Sequence, residues 1–362
     1  MIERVPRLTI GLPVYNGENF IQAALDSLLA QTFEDFEIII SDNASTDRTA
    51  KICRAYAERD ARIVYQRSPQ NLGAAWNFNH LVSLARGGYF KWAAYDDVCA
   101  PTFLEKCIAA LDQDPTTVLC HSQVQVIDAQ GNPLAKGFDK NDQRYVALTN
   151  RNIQLKTDSA KAYERFRDLA CFPHSCHQVF GVIRLRALRQ TPLMPAYRGS
   201  DKVMLARLGL LGKYHEIPEV LFFLRRHPEQ SMAVAAVSTH LISLWLDPEM
   251  SGKLIFPRCR RFFEFFKAVQ ETPLSLTEKL ACYRQLLPLL QIEGPGMLKD
   301  LGIAAIQLTE SLYRKICWEI LQLKQEPASD HILGKFPRLR KKKVEPTEAA
   351  IRIIQENLGT SE

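Results

Sequence analysis

Residues 89–98 read YFKWAAYDDV, an apolar and aromatic run that ends in two adjacent carboxylates, Asp96 and Asp97. The run has the make-up of a buried strand, and a buried strand end is a costly place for two negative charges. The pair therefore implies a cation or ligand at that strand end. A hard divalent ion such as Mg or Mn meets the requirement, because it prefers carboxylate, phosphate and water oxygens and needs few protein ligands when phosphates supply the others. The competing expectation is that the pair caps a helix running through PTFLEKCIAAL (101–111).

Working outward, short strand-like runs alternate with helical patterns. RLTIGLPV (7–14), FEIIIS (36–41), RIVYQ (62–66) and YFKWAAY (89–95) read as strands. Between them, FIQAALDSLL (20–29) puts Phe20, Ala24, Leu25, Leu28 and Leu29 on one helical stripe. STDRTAKICRAYAER (45–59) opens with Ser45 and Thr46 as N-cap candidates, and AAWNFNHLVSLA (74–85) is a third helix. Strands separated by helices of this length predict an α/β fold with a mainly parallel sheet covered on both faces. Ligands of such sheets bind beyond the carboxyl ends of the strands. The residues there are Pro13, Tyr15 and Asn16, then Asp42 and Asn43, then Arg67, then Asp96 and Asp97.

GLPVYNGENF (11–20) has no GxGxxG after the first strand, and no GxxxxGK[ST] occurs anywhere in the chain. If a diphosphate binds here, the remaining means of neutralising it is a metal held by carboxylates.

The 362 residues, 46% of them hydrophobic, favour about two domains, expected over 1–235 and, as a helical region with a basic linker near 335–346, over 236–362. No stretch approaches the ~20 apolar residues of a membrane span, and MIERVPRLTI has no apolar signal core. The expected location is the cytoplasm, with peripheral contact at the inner face of the membrane. Nine scattered cysteines fit reduced thiols. CFPHSCH, with Cys171, His174, Cys176 and His177, lacks the second ligand pair of a zinc site and reads as a loop. The net charge of +6 is concentrated in part in KFPRLRKKK (335–343), with no helix-turn-helix or base-stacking motif to suggest nucleic acid.

LPVYN (12–16), IISDNASTD (39–47), NLGAAWNFN (71–79) and AYDDV (94–98), in this order, resemble the family-two inverting glycosyltransferases of the glycosyltransferase A fold. The resemblance continues through QVFGVIRLRAL (178–188), GSDKVMLARLGLLG (199–212) and LFFLRRHPEQS (221–231). It implies that Pro13 and Tyr15 wall the nucleobase, that Asp42 recognises base or ribose, and that Arg67 and Asn71 complete the nucleotide pocket. It further implies that Asp96 bonds ribose and Asp97 binds the metal that bridges the diphosphate. Asp201 matches the base that takes the acceptor proton, and His227 a metal or phosphate ligand, with Arg225 or Arg226 beside it. Asp47 matches the last residue of the family's acidic segment, although a helix-capping role explains it equally well. Tyr95 stands where a full DxD has its first acid, which weakens direct coordination by two carboxylates. His174, His177 and Gln178 lead toward the acceptor side, and no spacing selects one of them.

Past residue 235 the pattern is helical. RCRRFFEFFKAVQ (258–270) mixes four cations with four phenylalanines, expected either to lie on an anionic membrane or to dock on the catalytic domain. LTEKLACYRQLLPLL (276–290), LGIAAIQLTESLYRKICWEILQL (301–323) and EAAIRIIQENL (348–358) read as further helices. The expected activity is metal-assisted, inverting transfer of a sugar from a nucleoside-diphosphate donor to a glycan or lipid-linked acceptor, in polysaccharide biosynthesis for the cell envelope. The alternatives are a non-catalytic glycan-binding or scaffold protein on the same fold, and a sugar-phosphate nucleotidylyltransferase.

Overall fold

The structure, a computed structural model, describes residues 5–134, 155–172, 174, 176–230, 239–250 and 253–323. Its first half is a run of βα units: β1 (Leu8–Val14), α1 (Ile21–Leu29), β2 (Phe36–Asp42), α2 (Thr49–Arg59), β3 (Ile63–Arg67), α3 (Ala74–Leu84) and β4 (Tyr89–Trp92). These four strands pair in parallel in the order β3-β2-β1-β4. All of their carboxyl ends therefore open on the same edge. Every residue of β1 and β2 is buried, as expected of central parallel strands covered on both faces. On α1, Ile21, Ala24, Leu25 and Leu28 carry the buried stripe.

The sheet continues through β5 (Val98–Cys99), β6 (Thr117–Ile127), β7 (Val182–Arg184) and β8 (Lys213–Arg225). The full order is β3-β2-β1-β4-β7-β6-β8-β5. β7 runs antiparallel between β4 and β6, β6 and β8 are parallel, and β5 returns antiparallel to β8. Around this half lie α4 (Phe103–Gln113), α5 (Ala162–Cys171), a 3-10 turn (His177–Phe180), α6 (Leu185–Leu188) and α7 (Ser200–Leu211). The helices α8 (Thr239–Leu246), α9 (Pro257–Glu271) and α10 (Leu276–Leu323) follow.

One face of the sheet packs Ile10, Leu12, Leu25, Ile38, Phe103 and Leu104 into a single core. On the other, Phe90 and Trp92 of β4 join Phe166 of α5, Met204 and Leu205 of α7, Phe265 of α9 and Leu286 of α10. Helices α9 and α10 thus dock on the α/β half. Phe265 is fully buried and Phe262 packs at the edge of the core, while Phe263 and Phe266 stay exposed. The three arginines of that segment turn to acids of the chain: Arg258 to Asp300, Arg260 to Glu264, and Arg261 to Glu293. KFPRLRKKK and EAAIRIIQENL lie outside the described residues, and no helix among those described is long and apolar enough to cross a membrane.

Three local expectations change. α2 starts at Thr49, so Ser45 and Thr46 do not cap it. They bond instead to Asn16 across the loop gap. β4 stops at Trp92 rather than Tyr95, leaving Ala93–Asp97 as a turn. Asp96 and Asp97 do not cap α4, whose N-cap position is Thr102.

Candidate functional site

Val14, Asp42 and Arg67 are neighbours in register at the ends of β1, β2 and β3. The loop after β1 is tied to the loop after β2 residue by residue. The Asn16 amide donates to Ser45 Oγ at 3.0 Å, the Gly17 amide to Thr49 Oγ1 at 2.8 Å, and the Glu18 amide to Asp47 Oδ2 at 3.1 Å. Asn16 accepts the Thr46 amide in return and sits at φ 52°, in the left-handed region where asparagine is among the better tolerated side chains. Pro13 is buried within β1, an unusual place for a residue without an N–H. Gly11 is the last β1 residue paired with β4 and accepts the Ala93 amide. Two residues on, the nitrogen of Pro13 faces the side where β4 has already ended, so no ladder bond is lost.

Asp42 is fully enclosed. Its carboxylate accepts the Ser45 amide at 2.8 Å and the Tyr65 hydroxyl at 2.7 Å, with Arg67 Nε 3.4 Å away. Burial, and then the bond to Asp42, push the Tyr65 hydroxyl well up from its usual range. Arg67 also donates to the Ser45 carbonyl and keeps 42% of its side chain exposed, so it is the member of this group that faces outward. Asn71 accepts from Asn43 Nδ2 at 2.8 Å and from the Gly73 amide at 2.9 Å. Gly73, at φ 85°, allows close packing: a β-carbon there would lie 2.5 Å from the Leu246 carbonyl at the end of α8. Tyr15 is half-buried at the rim. The structure thus brings together Pro13, Tyr15, Asp42, Arg67 and Asn71 along three adjacent strand ends.

The carboxylate pair lies at the end of β4, where β8 completes the site. Asp97 is buried and turned inward, accepting the Arg225 amide at 2.8 Å. Arg225 Nε donates to the Asp96 carbonyl at 2.8 Å, and its Nη1 reaches the Ala129 carbonyl at 2.9 Å, so its role is to latch the turn to β8. Burial, and then the charge of Asp96, hold the Asp97 carboxyl well above the usual carboxylate range. The Arg225 amide and the buried Lys91 ammonium oppose that rise. Asp96 points outward and meets His227, with Nε2 to Oδ2 at 2.9 Å. The structure therefore pairs His227 with Asp96, the residue that the resemblance gives to ribose, and sets Asp97 behind them.

A divalent metal fits this donor set. Asp96 retains some exposure, the imidazole lies against it, and His227 Nδ1 is buried with no hydrogen-bond partner. No group of three or more His, Cys, Asp or Glu among the described residues is arranged to hold a metal by itself. An ion at Asp96 and His227 would take its remaining ligands from phosphate and water, as small hard cations commonly do.

Asp201 sits in the first turn of α7, after Gly199 at φ 87°. Burial first, then the charge and hydrogen bond of Asp201, push the adjacent Cys176 thiol well up. Gln178 is buried with Oε1 unpartnered, and His174 Nε2 donates to the Leu169 carbonyl at 2.9 Å. Burial lowers both His177 and His174, the latter to about 4. Sequence reasoning missed Tyr65, Lys91 and the two arginines of α7 and α9 described below. Tyr65 had a signal, since it lies two residues before Arg67 and so shares its face of β3.

The carboxyl-end edge of this mostly parallel α/β sheet has the architecture of the glycosyltransferase A fold. Residues 9–169 match the model of glycosyl transferase family 2. It is 35% identical over 141 residues to an uncharacterized glycosyltransferase of Rickettsia typhi, covering 39% of this chain and 42% of the relative. It is 32% identical over 138 residues to the hyaluronan synthase of Pasteurella multocida, covering 38% of this chain and 14% of the synthase. The chain thus spans less than half the length of these curated relatives. Among solved structures, that of S. aureus TarS 1-349 in complex with UDP-GlcNAc matches with a TM-score of 0.53 at 14% identity, over 83% of this chain and 81% of that one. This likeness concerns the fold.

Proposed function

We propose that the protein is a metal-dependent, inverting glycosyltransferase that moves a sugar from a nucleoside diphosphate to a hydroxyl of a glycan or lipid-linked glycan. The observation that carries this reading is the outward Asp96–His227 pair, backed by Asp97, beside the polar loops of β1 to β3. The UDP-GlcNAc bound by TarS and the synthase activity named for the P. multocida relative support a nucleotide-sugar donor and a glycan product.

In this reading Tyr15 and Arg67 hold the nucleoside, with Asp42 and Asn71 keeping their loops in place. Asp96 and His227 would hold a divalent ion, Mn or Mg, with Asp97 as its buried support. When bound, the ion would supply charge neutralisation for the leaving diphosphate. Asp201 accepts the proton of the acceptor hydroxyl. The acceptor oxygen bonds to the anomeric carbon as the bond from that carbon to the diphosphate oxygen breaks, and the configuration inverts.

The test is a thermal-shift panel of UDP-, GDP-, dTDP- and CDP-sugars with and without MnCl2, since a ligand of the native state alone raises Tm. A Mn-dependent rise with one nucleotide, lost in Asp96→Asn, is expected. No rise with any of them, or a rise indifferent to both Mn and Asp96→Asn, would overturn the reading.

A further inference from the structure

Asp201 follows Gly199 by two residues, so its carboxylate goes where the Tyr197–Ser200 turn and the axis of α7 send it. Both are gripped by α9, a helix well outside the family-matched segment. Arg207 is the sole charged side chain on α7 after Lys202, set among Val203, Met204, Leu205, Ala206, Leu208 and Leu210, all buried. It is itself only 5% exposed. Its Nη1 donates to Glu271 at 2.5 Å, and its Nη2 lies 3.5 Å from Glu264, both acids of α9. Packing alone needs no charge here, and a buried ion pair is a poor source of stability. What a guanidinium adds is direction, because its planar fork accepts carboxylates in few orientations.

The same α9 face reaches the turn. Arg260, bonded to Glu264 at 2.9 Å, lies over the Tyr197 ring with 5.5 Å from Cζ to the centroid. Arg261 is pinned by Glu293 of α10 and covers Gly199 so closely that a β-carbon there would sit 3.1 Å from its Cδ. On the far side, Lys202 is anchored to the Phe172 carbonyl at 3.1 Å.

We propose that Arg207 and Arg261 are positioning residues for the Asp201 carboxylate, which makes α9 a working part of the transfer site. The inference rests on the reading of Asp201 as the proton acceptor. Its geometric demand is strict, since a displacement of about 1 Å costs on the order of a hundredfold in rate.

The experiment measures release of nucleoside diphosphate from the nucleotide sugar that gives the largest shift in the panel, for wild type, Arg261→Gln, Arg261→Lys, Arg207→Lys and Asp201→Asn. Arg261→Gln is expected to lower kcat by about tenfold or more, with donor KM and Mn–UDP or Mn–GDP affinity within about twofold. Arg261→Lys, which keeps the charge against Glu293, should recover most of the loss. Arg207→Lys should lower kcat in the same manner, because a point charge replaces the fork. Unchanged kcat in Arg261→Gln, or a loss shared equally by donor affinity, overturns the proposal. If Asp201→Asn itself keeps full turnover, the underlying assignment of the base has failed instead.

Discussion

The edge proposed to bind the donor and the edge proposed to carry out transfer, the donor edge and the transfer edge, hold their side chains by different means. At the donor edge, loops that are neighbours in sequence stitch each other: Asn16 to Ser45, 29 positions apart, and Glu18 to Asp47 at the same separation. At the transfer edge, α7 is fixed by a helix from the C-terminal region, with Arg207 and Glu271 64 positions apart. The first arrangement follows from consecutive βα units, whose loops fall side by side whatever else the chain does. The second requires α9 to be docked before the turn at Gly199 is defined. Donor recognition should therefore survive damage to α9, whereas transfer should not.

The largest effect expected is in Asp201→Asn, which should lose roughly two to four orders of magnitude in transfer rate, the range for a positioned general base, with donor affinity nearly unchanged. Single-turnover kinetics with a calorimetric titration of Mn and nucleotide separate the two quantities. An equal fall in both would place Asp201 with the donor edge and break the comparison.

Acid should loosen the transfer edge. His121 on β6 is 4% exposed, with His177 at 5.5 Å between ring centroids. Burial lowers its pKa to about 4, the Ser122 carbonyl opposes that shift, and the charge of His215 adds to it. The unfolded chain takes up a proton near pH 6.5 and the folded chain not until about 4. The stability that His121 contributes is thus fully present above pH 6.5 and is lost as pH falls to 4, on the order of 3 kcal/mol in all. Urea unfolding at pH 7, 5.5 and 4.5 should show this slope, and His121→Gln should reduce it, leaving the part that the buried His174 and His177 supply. An unaltered slope would mean that other groups titrate there.

At the donor edge, Asp96→Asn should weaken Mn-dependent nucleotide binding by about a hundredfold or more, since losing a group that only supports a metal ligand already costs about tenfold to a hundredfold. Asp97→Asn should do so with a larger loss of order in the turn, because it also weakens the bond from the Arg225 amide. Should Asp97→Asn abolish binding while Asp96→Asn leaves it intact, the inward carboxylate must turn outward in the bound state.

Much of this edge was legible before any coordinates. Strand and helix periods place β1 to β4 in order, so the position of Asp42, Arg67 and Asp96 at the carboxyl-end edge of the sheet follows from the sequence alone. Which of two adjacent carboxylates turns inward is not a local property. It is decided by the amide of Arg225, 128 residues away from Asp97. Lys91 was hidden for a related reason: one cation in YFKW reads as a lapse in an apolar run, while the fold encloses it over the rings of Phe103 and Phe222. Asp201 is visible only through the family pattern, and the arginines that hold its helix resemble ordinary charges on amphipathic segments.

The smallest effect separates two readings of Asp47. Its Oδ1 accepts the Thr49 amide at 2.9 Å and its Oδ2 the Glu18 amide at 3.1 Å, so from just before the N-cap it holds the start of α2 and pins the loop after β1 in one step. Replacement of a side chain of this kind by Ala costs about 1 kcal/mol, with ~2 as the upper range. Asp47→Ala should therefore lower the unfolding free energy by that amount, seen as a lower urea midpoint at unchanged m-value, reduce donor affinity by less than about threefold, and leave kcat as it was. A loss of affinity beyond tenfold at unaltered stability would mean that the carboxylate touches the nucleotide itself. The donor edge would then be held by its ligand as much as by its own loops, and the contrast with the transfer edge would narrow.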